Sequence, residues 1–150
     1  MDAALRAHLL AGQAIPALPL ALGRGRRWDE RRQRAVTRYY VDAGAGGLAV
    51  GVHSTQFAIR DPRHGLYEPV LALAAETVRA WRGPRPPGKF ALFAGLCGRT
   101  PQAMREAGTA QSLGYDAGLL SLGAWARDDE KAVLAHCRAV AREIPDRKST

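Results

Sequence analysis

The chain of 150 residues and 16.2 kDa is 47% hydrophobic and 24% charged, with a mean hydropathy of −0.22, which fits one domain, 1–150, with a core of its own. Its 16 glycines and 9 prolines follow no triplet repeat, which excludes collagen, and the apolar content excludes a disordered chain. The net charge of +8 admits a polyanion as partner, so the placement of the positives has to be weighed.

In chain order, residues 2–11 read as a short amphipathic helix with Leu5, Leu9 and Leu10 on one face. Arg6 and His8 stand where the apolar stretch of a secretory signal would lie. Residues 14–22 are apolar but punctuated by Pro16 and Pro19, so they fit only an extended segment at a strand start or sheet edge. This is the longest apolar stretch and falls short of the ~20 residues a spanning helix needs, so no membrane span is expected and the cytoplasm is the expected location. A helix follows over about 29–43, capped by Asp29, with Ala35, Val36, Tyr39 and Tyr40 as its apolar face and Gly44 as its stop.

Residues 46–52 form a continuous apolar strand of the kind found in parallel sheets. A polar, turn-rich loop over 54–66 leads to a helix over 67–82, with Val70, Leu71, Ala74, Ala75, Val78 and Trp81 as its stripe. The proline-rich stretch 83–88 reads as a stiff surface linker. A strand over 89–95 and a helix N-capped by Thr100 with Pro101 in its first turn follow, the helix lined by Met104, Ala107, Ala110 and Leu113. The last unit is a strand over 117–122 and a helix capped by Asp128 or Asp129, with Val133, Leu134, Cys137, Val140, Ala141 and Ile144 as its face. A polar tail, 146–150, ends the sequence. Such strand–helix alternation predicts a parallel sheet covered by helices. Either a doubly wound sheet or half of a (β/α)8 barrel satisfies it.

In both architectures, chemistry belongs at the carboxyl ends of the strands. Gly23-Arg24-Gly25 lacks the third glycine of a dinucleotide loop, and Asp29 would face the pyrophosphate. His53, Ser54 and Thr55 follow the strand at 46–52 and offer hydroxyl and imidazole groups to a small anion such as a carboxylate. An ordinary polar loop with Ser54 or Thr55 capping the backbone explains the same residues. His64 reads as a turn residue, His136 as lying on the polar side of its helix, and Asp116 as holding a turn remote from any site. Cys97 has no local histidine partner, and Cys97 and Cys137 lack metal-ligand spacing, so neither a nucleophilic cysteine, a disulfide framework nor a metal site is expected. Seven arginines between Arg24 and Arg38 face only Asp29 and Glu30 and hold most of the charge excess. Without stacking aromatics or a recognition helix, they read as a solvated helix face in preference to a nucleic-acid site.

The stretch from Ile15 to Pro145 resembles the amino-terminal half of the dihydrodipicolinate synthase / N-acetylneuraminate lyase family. Residues 15–18 look like the family's opening strand; 42–51 (DAGAGGLAVG) resemble its second strand, and 109–120 (TAQSLGYDAGLL) a later helix–strand junction. The resemblance implies an α/β fold, a parallel (β/α)4 half of a (β/α)8 TIM barrel with a leading N-terminal helix. It implies a class I aldolase or lyase that forms a Schiff base with pyruvate or another 2-keto acid, without a cofactor. The family's G-T-T-G-E places its threonines on His53 and Ser54, its next glycine on Thr55 and its glutamate on Gln56, so only Ser54 keeps a hydroxyl in place. Leu122, Gly123, Ala124 and Trp125 stand where the family has a Pro-Tyr pair. Neither Lys89, Lys131 nor Lys148 is placed to form the imine, which needs a desolvated amine of lowered pKa. The chain is therefore expected to be an inactive piece of a longer enzyme, without a catalytic residue of its own. An alternative is a non-catalytic anion-binding or assembly module. Self-association is expected through the unpaired edges of a half barrel.

Overall fold

The computed structural model describes residues 3–83 and 89–143. The expected proline-rich linker (apart from Gly83), Ile144, Lys148 and the polar tail lie outside them. The elements are α1 (Ala3–Leu10), α2 (Glu30–Asp42), β1 (Gly47–Val50), α3 (Tyr67–Arg82), β2 (Ala91–Leu96), α4 (Thr100–Ser112), β3 (Ala117–Leu120) and α5 (Glu130–Glu143). The strands are parallel and lie in chain order, with Ala49 opposite Phe93 and Phe93 opposite Ala117.

The expected first strand is not a full one. Pro16 and Pro19 have no N–H to give, so residues 14–22 contribute only a parallel bridge of Ala17 to Ala49. The Leu18 amide donates to Ala49 O (2.8 Å), and the Ala49 amide donates to Pro16 O (3.0 Å). The segment continues the sheet beyond β1 and then turns back as a small hairpin, Leu22 bridging Trp28.

Side-chain alternation decides between the two architectures. Leu18, Leu48, Val50, Leu92, Ala94, Leu96 and Leu120 belong with Val70, Leu71, Ala74, Ala103 and Ala107 of the helices in one apolar layer. Their intervening neighbours (Ala49, Phe93, Gly95 and Leu119) point to the other face. Helices α2–α5 therefore cover one side, as right-handed crossovers between sequentially adjacent parallel strands require. This is the curvature of a barrel wall, with Ala49, Phe93, Gly95 and Leu119 on the concave side. The doubly wound alternative is excluded.

Several helix faces differ from expectation. On α2 the buried positions are Gln33 and Thr37, flanked by Val36, Tyr40 and Val41, whereas Ala35 and Tyr39 are exposed. Gln33 explains the shift: Oε1 accepts from the Ala21 amide (2.9 Å) and Trp28 Nε1 (3.3 Å), and Nε2 donates to Pro19 O (3.0 Å). A buried polar side chain thus supplies the hydrogen bonds that the proline segment cannot find in the sheet. Asp29 caps α2 through the Arg32 amide (3.0 Å), as expected. Leu10, Trp81, Leu134 and Ala141 are exposed, although each was expected on a buried face. At the amino end of the sheet, α1 buries Leu5 and its His8 Nε2 lies 2.7 Å from Gly46 O.

Candidate functional site

The carboxyl ends of β1 and β2 approach more closely than side chains permit. A Cβ on Gly95 would lie 2.4 Å from Gly51 O, and Gly51 itself turns at φ +77°. That turn starts the His53–Ser54–Thr55 helical turn. Thr55 is 0% exposed; its hydroxyl donates to Leu18 O (2.6 Å) and accepts from the Gly51 amide (3.1 Å). Its only proton is committed to the first strand segment, which makes Thr55 the fastener of the loop. Ser54 and His53 remain outward, with Ser54 Oγ 3.2 Å from His53 Nε2. The structure therefore brings these three sequence-chosen residues together but in different environments.

Beside them lies a polar cluster that the sequence reading passed over. Arg60 Nε donates to Glu106 Oε1 (2.9 Å) and Nη2 donates to Gly95 O (2.8 Å), with the two side chains only 9% and 8% exposed. The guanidinium stacks 4.5 Å above the Tyr67 ring, whose hydroxyl also donates to Gly95 O (2.8 Å). Glu106 further accepts from the Cys97 amide (3.0 Å) and Gln102 Nε2 (2.8 Å). Burial, then the Glu106 charge, raises the Tyr67 phenol above its ordinary range, and burial raises the Cys97 thiol as well. A thiol held protonated is a weak nucleophile, so the cluster is suited to holding the β2–α4 loop. The signal was a carboxylate, Glu106, within the stripe Ala103, Ala107 and Ala110 of an otherwise apolar helix face.

His136 corrects the expectation of a polar helix face. It is 1% exposed, stacked on Trp125 at 4.6 Å, with Nδ1 2.9 Å from Thr100 Oγ1. Arg99 also lies over the Trp125 ring at 4.4 Å and pairs with Asp128 (2.8 Å). Thr100 is the first residue of α4, so Arg99 takes the cap position expected of Thr100. Asp129, through the Ala132 amide (2.8 Å), is the acid that caps α5. Asp116 accepts from the Leu92 amide (3.0 Å) and meets Lys89 Nζ at 3.4 Å, both at the amino end of the sheet. His64 lies in an exposed turn.

Of the arginine cluster, Arg34 pairs with Glu76 (3.1 Å), Arg38 stacks on Trp81 (4.7 Å) and Arg32 meets Asp29 (3.5 Å). These contacts tie three of the seven arginines to the molecule itself. Among the described residues no group of three or more His, Cys, Asp or Glu is placed to hold a metal ion, and no helix is long and apolar enough to cross a membrane.

No known family profile and no curated protein matches the sequence. Solved structures do match the fold. Dihydrodipicolinate synthase from Aquifex aeolicus superposes with a TM-score of 0.71 at 20% identity, and that from Oceanobacillus iheyensis with 0.74 at 11%. The 4-hydroxy-tetrahydrodipicolinate synthase from Methylacidiphilum fumariolicum gives 0.72 at 16%. Each match covers 87% of this chain but only 41% of the longer one. At these identities the likeness is one of fold: the chain has the architecture of part of a dihydrodipicolinate synthase barrel.

Proposed function

We propose that this chain is the amino-terminal, carboxylate-holding part of an aldolase or lyase of the dihydrodipicolinate synthase kind, acting on pyruvate or another 2-keto acid through a Schiff base. The observation that carries the reading is the one-sided run of sequential parallel strands with His53 and Ser54 at its carboxyl end. Ser54 Oγ and the His53 ring would donate to the keto-acid carboxylate, and Thr55 would keep their loop in place through Leu18 O and the Gly51 amide. By this reading neither of the two described lysines is the imine-forming amine. Lys89 lies at the far end of the sheet against Asp116, and Lys131 is exposed on α5. By this reading the chain alone binds without turnover.

Pyruvate titration followed by nuclear magnetic resonance, paired with borohydride trapping, tests both halves of the proposal. Saturable shifts at His53 and Ser54, weakened about tenfold in Ser54→Ala by loss of one charge-assisted hydrogen bond, are expected with no covalent adduct. A borohydride-trapped adduct on Lys89 or Lys131 would overturn the missing-amine reading. Silence at His53 and Ser54 would overturn the site.

Leu119, 47% exposed on the concave face of β3, favours an assembly role beside this one. The outer edge of β3 has no strand partner among the described residues.

A further inference from the structure

A cavity opens between the hairpin that precedes α2 and the loop that precedes α3, apart from the His53–Ser54 turn at the barrel mouth. Its volume is about 270 Å³, and its lining includes none of His53, Ser54 or Thr55. The hairpin builds one wall. Leu22 bridges Trp28 across it, and Leu20, two residues earlier, lies on the same side of the strand as Leu22. The Phe57–Arg60 turn and the residue before α3 supply Ile59 and Leu66 opposite.

The polar groups of this cavity are few. Arg26 stands at the hairpin tip, Gln56 at the junction of two helical turns, and His64 in the loop. Neither the Arg26 nor the Gln56 side chain has a hydrogen-bond or ion-pair partner among the described residues, and the His64 ring makes no hydrogen bond. Arg26 (φ 58°) and Gln56 (φ 72°) are also the two described non-glycine residues with positive φ. These two described non-glycine positions of positive φ therefore border one cavity. The neighbouring acids are engaged elsewhere: Asp61 accepts from Arg63 Nε (3.0 Å), and Asp29 caps α2. That leaves the cavity with apolar walls and a net positive rim.

We propose that this cavity binds a small carboxylic acid with a single-ring or branched apolar body, its carboxylate meeting Arg26 and its body lying between Leu20, Trp28 and Ile59. Size supports the class. A closed apolar cavity of about 150 Å³ accommodates benzene, so the space here admits a ring with a short carboxylated arm. Charge supports it as well, since Arg26 offers a planar fork to a carboxylate and Gln56 a neutral amide beside it. The site does not depend on the reading of His53 and Ser54.

The test is titration of the whole chain with 3-phenylpropanoate, read by nuclear magnetic resonance. Saturable shifts at the Trp28 indole N–H, Ala58, Ile59 and Leu66, with a dissociation constant on the order of 1 mM, are expected. Arg26→Gln weakens binding about tenfold, as does replacing the acid by 3-phenylpropan-1-ol, each removing one charge-assisted contact. Ala58→Trp fills the exposed side of the cavity and abolishes the shifts with the thermal unfolding temperature maintained. Pyruvate leaves these resonances unmoved, which separates this site from the barrel mouth. Absence of saturable shifts at 10 mM (about ten times the expected constant), or shifts confined to His53 and Ser54, overturns the proposal. Equal binding of the alcohol overturns the carboxylate class.

Discussion

Glu106 is the residue on which the carboxyl end of the sheet depends. It is nearly buried, faces Arg60 at 2.9 Å and holds the Cys97 amide, while Arg60 reaches across to Gly95 O. Removing one member of such a pair leaves the other charge buried without compensation. Glu106→Ala is therefore expected to destabilise the chain by about 3–5 kcal/mol, and Arg60→Met with Glu106→Leu to recover most of that loss. Urea denaturation checks both, and a single-variant loss under about 1 kcal/mol would contradict the pairing. A carboxylate set among alanines on α4 was visible in the sequence, but its partner was not. Arg60 precedes it by 46 residues, and only the fold brings the two together.

At the scale of elements, polar side chains decide faces that apolar periodicity alone assigns wrongly. Gln33 turns α2 so that its amide serves Ala21, Trp28 and Pro19, and the tyrosine pair Tyr39–Tyr40 is split between solvent and core as a result. On α5 the buried polar residue is His136, enclosed by Trp125 and Thr100 with Arg99 beyond. Burial, aided by the Arg99 charge, holds this imidazole below its ordinary pKa of 6.5. The unfolded chain protonates His136 more readily than the folded one, so this contribution to stability is complete above pH 6.5 and is lost as pH falls through the folded value. The thermal unfolding temperature is expected to decrease between pH 7.5 and 5.5, with a shallower slope in His136→Gln. Equal slopes in the two proteins would remove His136 as the cause.

For the whole molecule, the governing fact is a curved sheet with helices on one side only. Its concave face carries Leu119 in the open, and the outer edge of β3 has N–H and C=O groups without strand partners among the described residues. Such an edge and face invite another copy of the chain. Analytical ultracentrifugation is expected to show concentration-dependent association that Leu119→Lys reduces at least about fivefold in affinity, the scale of losing about 1 kcal/mol of apolar contact. A strictly monomeric wild-type protein would count against this surface.

Strand–helix alternation, the bounds of α3, the Asp29 cap and the loop after β1 were all legible from residue order, because apolar periodicity and capping chemistry are local. So was a resemblance to a barrel fold that the structure shares, carried by a few glycine-rich strand signatures. The tertiary structure alone decided that the helices share one side and that Thr55 fastens its loop while Ser54 and His53 face outward. It also decided that Arg60 meets Glu106 and that His136 is enclosed. Each of these depends on contacts between distant residues. Sequence order limits what such residues are, and packing determines which of them meet.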